Sequence, residues 1–284
     1  MAESSMTETC SQQLAANARR CREQLTDEAA AEIAAFVMKQ QNPDGGFRGR
    51  STQSDLYYTQ FALEALCALE QRLPVEGLRA FLVGFGRGDG LDFVHLACLL
   101  RCWGRMTEGA PAREVLDRVD EYRTPDGGYH GRRNARKGSP YGCYLALLAY
   151  EGAGVPLPGR ESMARCLHAC KPANTPTAAA LSVLLAHLEG GGPAALGDWL
   201  LARASKRGGF APSPLVPVPD LLSTATALHA LTVLGRPLEA LRRPCREFVT
   251  GLWAENGGFC GHWADRTPDC EYTYYALLAL GCLA

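Results

Sequence analysis

A turn built on a pair of glycines recurs along this chain at a regular interval. Gly-Gly-aromatic turns begin at Gly45, Gly127, Gly208 and Gly257. The first three are roughly 80 residues apart, which is twice the ~40-residue period of a helical-hairpin repeat. The intervals between them contain degenerate turns at 86–90 and 171–174, so the sequence predicts six units.

Each unit has the pattern of two helices on either side of the glycine turn. The first helix is amphipathic, as at 28–40, where Ile33, Phe36 and Val37 recur at helical spacing. The second helix is rich in leucine and alanine and begins at a residue that can cap a helix N-terminus. The predicted caps are Asp55, Asp92, Ser139, Thr175, Asp220 and Asp269.

The second helices must be buried, because a helix that is apolar nearly all round belongs inside a protein. Six hairpins can bury them as an open superhelix with polar end units or as a closed ring. The last helix is apolar to its end at 277–284, which favours the ring. We therefore predict an all-α fold, an (α/α)6 toroid, whose six inner N-termini meet at one anion-favouring rim.

Composition and the first residues add further expectations. We expect a polar N-terminal extension at 1–22, compatible with a helix, and a single toroid domain at 23–284. The 29 basic and 30 acidic side chains nearly balance, which argues against nucleic acid as a partner. The sequence contains neither a run long enough for a transmembrane segment nor the apolar stretch of a secretion signal, so we expect a cytoplasmic protein.

These repeats resemble the α/α-toroid superfamily, which includes the β subunits of protein prenyltransferases and the terpene cyclases of the squalene–hopene type. The resemblance runs from Ala30 to Leu283 and rests on the glycine turn followed by a capped Leu/Ala helix. It implies a prenyltransferase-like or terpene-cyclase-like enzyme that acts on an isoprenoid or other hydrophobic substrate in a central apolar cavity. The alternative is a non-catalytic module that binds lipid or protein together with a helical α-subunit-like partner.

The resemblance also implies where zinc would bind. Protein prenyltransferases hold zinc with an Asp-x-Cys pair and a histidine, and the corresponding positions here are Asp220, Leu222 and Tyr272. Leucine has no donor atom and zinc needs three or four ligands, so zinc is not expected at this site and the cofactor stays unassigned. The weaker metal candidates are Asp92, His95, Cys260 and His262.

A second implied site is a proton donor. Squalene–hopene-type cyclases use Asp-x-Asp-Asp-Thr, and the segment 269–273 is similar, with Glu271 at the position of the acid. A carboxyl group that faces an apolar cavity stays protonated and can protonate an alkene or epoxide. The alternative is that Asp269 and Glu271 only cap the helix and complement its dipole. The predicted catalytic residues are Asp269, Glu271, Asp220 and Tyr272.

Arginines and aromatic side chains complete the predicted substrate site. We expect arginines of the first and third loops to bind a diphosphate at the rim, with a solvated basic loop as the alternative. Aromatic rings are expected to stabilise carbocations. The predicted substrate-binding residues are Arg48, Arg50, Asp55, Tyr57, Arg132, Arg133, Arg136, Tyr141, Trp263 and Tyr275. His229, in the middle of an inner helix, is predicted to be structural.

Overall fold

The computed structural model describes residues 8–106 and 111–284, and its regular elements are helices with isolated β-bridges in the turns. Helix α1 (Cys10–Arg19) continues into a 3-10 helix at Arg20–Gln24. Outer and inner helices then alternate along the chain. In order they are α2 (Asp27–Met38), α3 (Leu56–Ala68), α4 (Val75–Val83), α5 (Phe93–Trp103), α6 (Ala112–Asp120), α7 (Pro140–Gly152), α8 (Arg160–His168), α9 (Thr175–Glu189), α10 (Ala194–Leu201), α11 (Leu221–Val233), α12 (Glu239–Thr250) and α13 (Cys270–Cys282).

The inner helices, which are the odd-numbered ones from α3 to α13, form a closed ring. Each packs against the next, and α13 packs against α3. The ring closes where the N-terminal ends of α13 and α3 meet. There Arg50 pairs with Asp269, and the Tyr57 hydroxyl donates a hydrogen bond to Glu271. The predicted all-α toroid is therefore confirmed, with the capped ends of the inner helices at one rim.

The glycine turn recurs along the chain, and each copy is followed by an aromatic side chain that is buried in the core. Their first glycines have φ between +88° and +92°, a conformation that glycine adopts at little cost. A Cβ at Gly208 would lie 1.9 Å from the carbonyl oxygen of Pro244. The aromatic residues that follow are fully buried; they are Phe47, Tyr129, Phe210 and Phe259.

Polar caps determine where the inner helices begin. The side chains of five predicted caps accept hydrogen bonds from first-turn N–H groups; they are Asp55, Asp92, Ser139, Asp220 and Asp269. The predicted cap at Thr175 is wrong by one residue, since Asn174 caps α9 and forms a capping box with Thr177. The Thr175 hydroxyl instead donates to the Ala211 carbonyl at 2.6 Å and so joins two neighbouring units.

Helix α1 covers the end of the ring opposite the caps. It packs against α13, α3 and α7, and it buries Cys10 and Leu14. The Glu151 carboxylate, near the end of α7, accepts hydrogen bonds from the N–H groups of Cys10 (3.0 Å) and Ser11 (2.7 Å). The predicted N-terminal extension thus contains a helix that packs on the ring, and its residues 1–7 lie outside the described residues.

We expect Gly281→Ala to destabilise the protein by disturbing the contact between α1 and α13. A Cβ at Gly281 would lie 1.9 Å from the carbonyl oxygen of Asn17, so α1 must shift outward. Overpacking of this kind costs about 1–3 kcal/mol, to be measured as the free energy of unfolding in urea. Gly197→Ala in α10 is the control, because its Cβ meets only Arg236 side-chain atoms at ordinary distances of 3.4 Å or more. Equal losses in both variants would contradict the prediction.

Candidate functional site

A cavity of about 220 Å³ lies inside the ring. Each inner helix contributes one residue in its first turn and one or two residues a turn later. All inner helices except α3 contribute one more residue in the turn after that. The rim tier consists of Tyr57, Val94, Tyr141, Pro176, Leu222 and Glu271. The floor tier consists of Arg101, Leu148, Val183, His229 and Leu278, together with Leu14 of α1. Two helical turns, or about 10 Å, separate these tiers.

Glu271 brings a carboxyl group into the aromatic rim tier. It accepts a hydrogen bond of 2.7 Å from the hydroxyl of Tyr57. Burial raises the pKa of Glu271 to about 7, with a further rise from the charge of Asp269, while Tyr57 and Arg50 act in the opposite direction. A large fraction of Glu271 therefore carries a proton near neutral pH, as a general acid requires.

Asp269 sits beside Glu271 but outside the cavity lining, and it is 3% exposed. Its carboxylate accepts hydrogen bonds from the N–H of Tyr272 (2.9 Å) and from Nε of Arg50 (3.1 Å). Arg50 also donates to Asp265 at 2.6 Å. Two carboxylates of the sixth unit therefore hold Arg50, which joins the first unit to the last.

The positions that the resemblance assigns to zinc carry one carboxylate, that of Asp220. Asp220 accepts hydrogen bonds from the N–H and hydroxyl of Ser223, at 2.6 and 3.1 Å. Leu222 faces the cavity and offers no donor atom, and the ring of Tyr272 lies 5.7 Å from the guanidinium carbon of Arg50. One carboxylate cannot supply the donor set that zinc requires.

The predicted diphosphate-binding arginines lie away from the cavity lining. Arg133 pairs with Glu121 at 2.9 Å, and its guanidinium lies over the ring of Tyr122. Arg132 and Arg136 are exposed, and Arg48 bonds to Gln40 at 3.4 Å. Three predicted substrate-binding residues line the cavity, namely Tyr57, Tyr141 and Tyr275, whereas Asp55 and Trp263 do not.

His95 joins the N-termini of α3 and α5 through two carboxylates. Its Nδ1 lies 2.8 Å from Asp92 and its Nε2 lies 3.4 Å from Asp55. Hydrogen bonding to Asp55, and then to Asp92, raises the pKa of His95 to about 9 against the effect of burial. A protonated imidazole has no lone pair for a metal, so this geometry favours an ion pair over the predicted metal role.

We expect His95→Gln to remove a pH-dependent part of the stability. The pKa of His95 is higher in the folded protein (about 9) than in the unfolded chain (6.5), so its contribution is complete below pH 6.5 and is lost as the pH rises through 9. The site is partly exposed, so the difference amounts to about 1 kcal/mol. Between pH 6 and pH 10, the free energy of unfolding in urea should decrease more for the wild type than for His95→Gln. Equal decreases in the two proteins would contradict the ion pair of His95 with Asp55 and Asp92.

The other predicted metal candidates are Cys260 and His262. Among the described residues, these two side chains and His95 do not form a group of potential metal ligands. Cys260 is buried, and Nδ1 of His262 accepts the N–H of Ala264 at 3.1 Å. Within 8–106 and 111–284, the group of potential ligands that come within 4.8 Å of one another is Cys10, Glu151 and His187. Its carboxylate already accepts the first N–H groups of α1, so it acts as a helix cap.

The polar residues below the rim are absent from the site that the sequence predicts. Gln60, Tyr144 and Tyr274 line the middle of the cavity, and Arg101 and His229 line its floor. Their signal is the spacing of three and seven residues from the rim tier along the same helix face. His229, which the sequence predicts to be structural, borders the cavity.

Comparisons with known proteins agree with the fold. The model of the prenyltransferase alpha-alpha toroid domain matches residues 10–96 and 177–284, and this chain belongs to that family. A comparison with curated proteins finds no match. Within the described residues, no helix has the length and apolar character needed to cross a membrane.

Solved structures share the architecture at low sequence identity. A variant of the type II terpene cyclase MstE from Scytonema, in complex with its substrate geranylgeranyl dihydroxybenzoate, is 13% identical, with a TM-score of 0.60 over 94% of this chain and 97% of that chain. Another MstE variant, in complex with the product merosterolic acid A, is 14% identical, with the same TM-score and coverage. A protein from Actinoplanes is 16% identical, with a TM-score of 0.57 over 90% of this chain and 98% of that chain. At such identities the likeness concerns the fold.

Proposed function

We propose that this protein is a terpene-cyclase-like enzyme that begins its reaction by protonating an isoprenoid in the central cavity. The observation that carries the proposal is Glu271, a carboxyl group with a pKa of about 7 in an aromatic wall. The structural likeness to type II terpene cyclases supports the same class of substrate. The volume of 220 Å³ lies below the usual range of ~300–1,000 Å³ for ligand pockets, which favours a short substrate.

The first step transfers the Glu271 proton to a terminal alkene carbon of the substrate. The π electrons form the new C–H bond, the neighbouring carbon becomes a carbocation, and Glu271 becomes a carboxylate. The hydroxyl of Tyr57 then donates to a fully charged acceptor, which strengthens that hydrogen bond. Attack by an internal double bond closes a ring, and the last cation then gives up a proton to solvent water. Glu271 takes up a proton from solvent before the next turnover.

An aromatic wall beside Glu271 supports the cationic intermediates. The ring of Phe61 lies 4.9 Å from that of Tyr57 and 5.4 Å from that of Tyr275. Tyr141 extends the wall on α7. Ring faces attract a cation in a site shielded from water, and the same apolar wall keeps water from capturing the cation early.

The remaining predicted site residues have indirect roles in this proposal. Asp269 is a positioning residue, because it starts α13, holds Arg50 and raises the pKa of Glu271. Direct roles for Asp220 and Tyr272 stay predictions, as does diphosphate binding by the arginines, which are Arg48, Arg50, Arg132, Arg133 and Arg136. The proposed chemistry requires no zinc.

Turnover in D₂O tests the reaction class. The purified protein is incubated with short isoprenoid alcohols and acids, and the products are analysed by mass spectrometry and NMR. Protonation by Glu271 places deuterium on the carbon that is attacked first. Cyclised product without deuterium at that carbon, or diphosphate release as the first step, would contradict the proposal.

The second candidate function is a module that binds lipid or protein beside an α-subunit-like partner. Exposed apolar side chains in the fifth loop favour it, namely Leu215, Val216 and Val218. Trp263 in the sixth loop is also exposed. A protein that binds isoprenoids but converts none of them would support this candidate.

A further inference from the structure

We infer that the lower part of the cavity is a recognition site for a carboxylate. The ligand is then a short apolar acid that binds with its carboxylate at the floor tier. This inference deepens the proposed function and rests on it for the orientation of the substrate. The apolar chain would rise from the floor tier toward Glu271 in the rim tier. The evidence is a convergence of unpaired hydrogen-bonding groups on this otherwise apolar space.

His229 supplies the clearest donor. It is 3% exposed, and its Nδ1 lies 3.0 Å from the side-chain nitrogen of Asn17 on α1. The amide nitrogen can only donate, so Nδ1 accepts and the proton of the neutral ring is on Nε2. Burial lowers the pKa of His229 to about 4, which keeps the ring neutral. His229 lines the cavity, and its Nε2 is buried without a hydrogen-bond partner among the described residues.

Tyr274 and Gln60, which line the middle of the same cavity, also carry buried polar groups. The hydroxyl of Tyr274, a residue only 2% exposed, has no hydrogen-bond partner among the described residues. The Gln60 amide, also 2% exposed, lies near the Glu64 carboxylate. A buried polar group without a hydrogen-bond partner is costly, so the two such groups on His229 and Tyr274, which line one cavity, point to a polar ligand atom near them.

The charge beneath the cavity indicates an anion. Arg101 lines the floor, and its guanidinium lies 3.5 Å from Glu64, whose other oxygen accepts from Arg105 at 2.5 Å. Two guanidinium groups therefore share one carboxylate, which leaves a net positive charge. Glu151 lines a second pocket together with Arg101, Arg105 and Glu64, outside the lining of the central cavity, and its carboxylate accepts hydrogen bonds from the N–H groups at the start of α1.

One negative charge matches this arrangement better than several. The cluster of Arg101, Arg105 and Glu64 carries a net charge of one unit at neutral pH. A carboxylate brings one charge and two acceptor oxygens, enough for Arg101, His229 and Tyr274 together. A diphosphate is bulkier and more highly charged, and the cavity of about 220 Å³ must also hold the apolar chain.

Binding of geranic acid, a short isoprenoid acid, tests this site. Calorimetric titration at pH 7 compares the acid with its methyl ester and with geraniol. We expect the acid to bind wild-type protein at least about tenfold more tightly than the ester, the size of one charged hydrogen bond. Equal binding of acid and ester would overturn the inference.

Tyr274→Phe tests the same site without threatening the fold, because its hydroxyl has no partner to lose. We expect this variant and His229→Leu to lose most of the preference for the acid. Tyr150→Phe is the matched control, since it removes a buried hydroxyl that bonds to Asp120 outside the cavity. If the preference stays intact in Tyr274→Phe, the inference is wrong.

The carboxylate site and the proposed reaction can fail separately. Glu271→Gln should keep the preference for the acid, because Glu271 lies two helical turns from the floor tier. Preferred binding of the acid without any conversion would reject only the cyclase proposal. Conversion of neutral isoprenoids with no preference for the acid would reject only the carboxylate site.

Discussion

Replacing Glu271 with glutamine should lower kcat for an isoprenoid substrate by about 10²–10⁴-fold, the usual contribution of a general acid. Glutamine has the same shape and still accepts the hydrogen bond from Tyr57, but it has no acidic proton to transfer. Binding should be preserved, so the effect appears in kcat and not in the dissociation constant of the substrate. Steady-state kinetics with product detection measures it.

The pH profile gives an independent check on Glu271. The protonated form is the active one, so wild-type kcat should fall as the pH rises through about 7, where Glu271 loses its proton. Glu239→Gln is the control, because Glu239 is likewise a first-turn acid but is exposed on α12. Wild-type turnover in Glu271→Gln would eliminate the acid mechanism while leaving the fold untouched.

The second large effect concerns stability. We expect Glu64→Gln to reduce the free energy of unfolding by about 3–5 kcal/mol, because removing one partner leaves buried cations uncompensated. The Glu64 side chain is 8% exposed and pairs with Arg101 and Arg105, whose side chains are 12% and 27% exposed. Although burial alone would raise the pKa of Glu64, these two arginines lower it. Urea unfolding of both proteins measures the loss.

Acidification tests the direction in which the stabilising contribution of Glu64 depends on pH. Because the pKa of Glu64 is lower in the folded state, its contribution is present above the unfolded value of 4.5 and disappears as the pH falls through the folded value. The wild type should therefore lose more stability than Glu64→Gln on acidification. Glu76→Gln, an exposed first-turn acid of α4, should behave like the wild type. A loss below about 1 kcal/mol in Glu64→Gln would mean that the pair is solvated.

Much of the architecture could be predicted because its signals are local and repeated. The glycine turn and the capped helix recur in the sequence, so an error in one unit leaves the period intact. The cap of α9 is such an error, because Asn174 and Thr175 are adjacent and both suit the position. Ring closure also followed from the pattern, since burying the apolar inner helices left few arrangements.

The candidate site could be predicted in part. Glu271 is predicted from the resemblance to the cyclase acid motif and Tyr57 from its aromatic ring, and the structure brings them within 2.7 Å. The arginines were grouped by sequence, yet Arg50 pairs with acids of the sixth unit and Arg133 pairs with Glu121. A loop sequence does not indicate which distant carboxylate reaches a given arginine.

The sequence by itself therefore determined the repeat and the helix starts, because spacing and capping act within a few residues of the chain, and Glu271 as the candidate acid is what the family resemblance implies. Only the tertiary structure decided which side chains share the cavity. The pairing of Asn17 with His229 and of Glu64 with Arg101 and Arg105 depends on how separate helices pack, and burial there decides protonation and charge. Contacts between residues far apart in sequence leave no local pattern, so the polar floor appears only once the ring has closed.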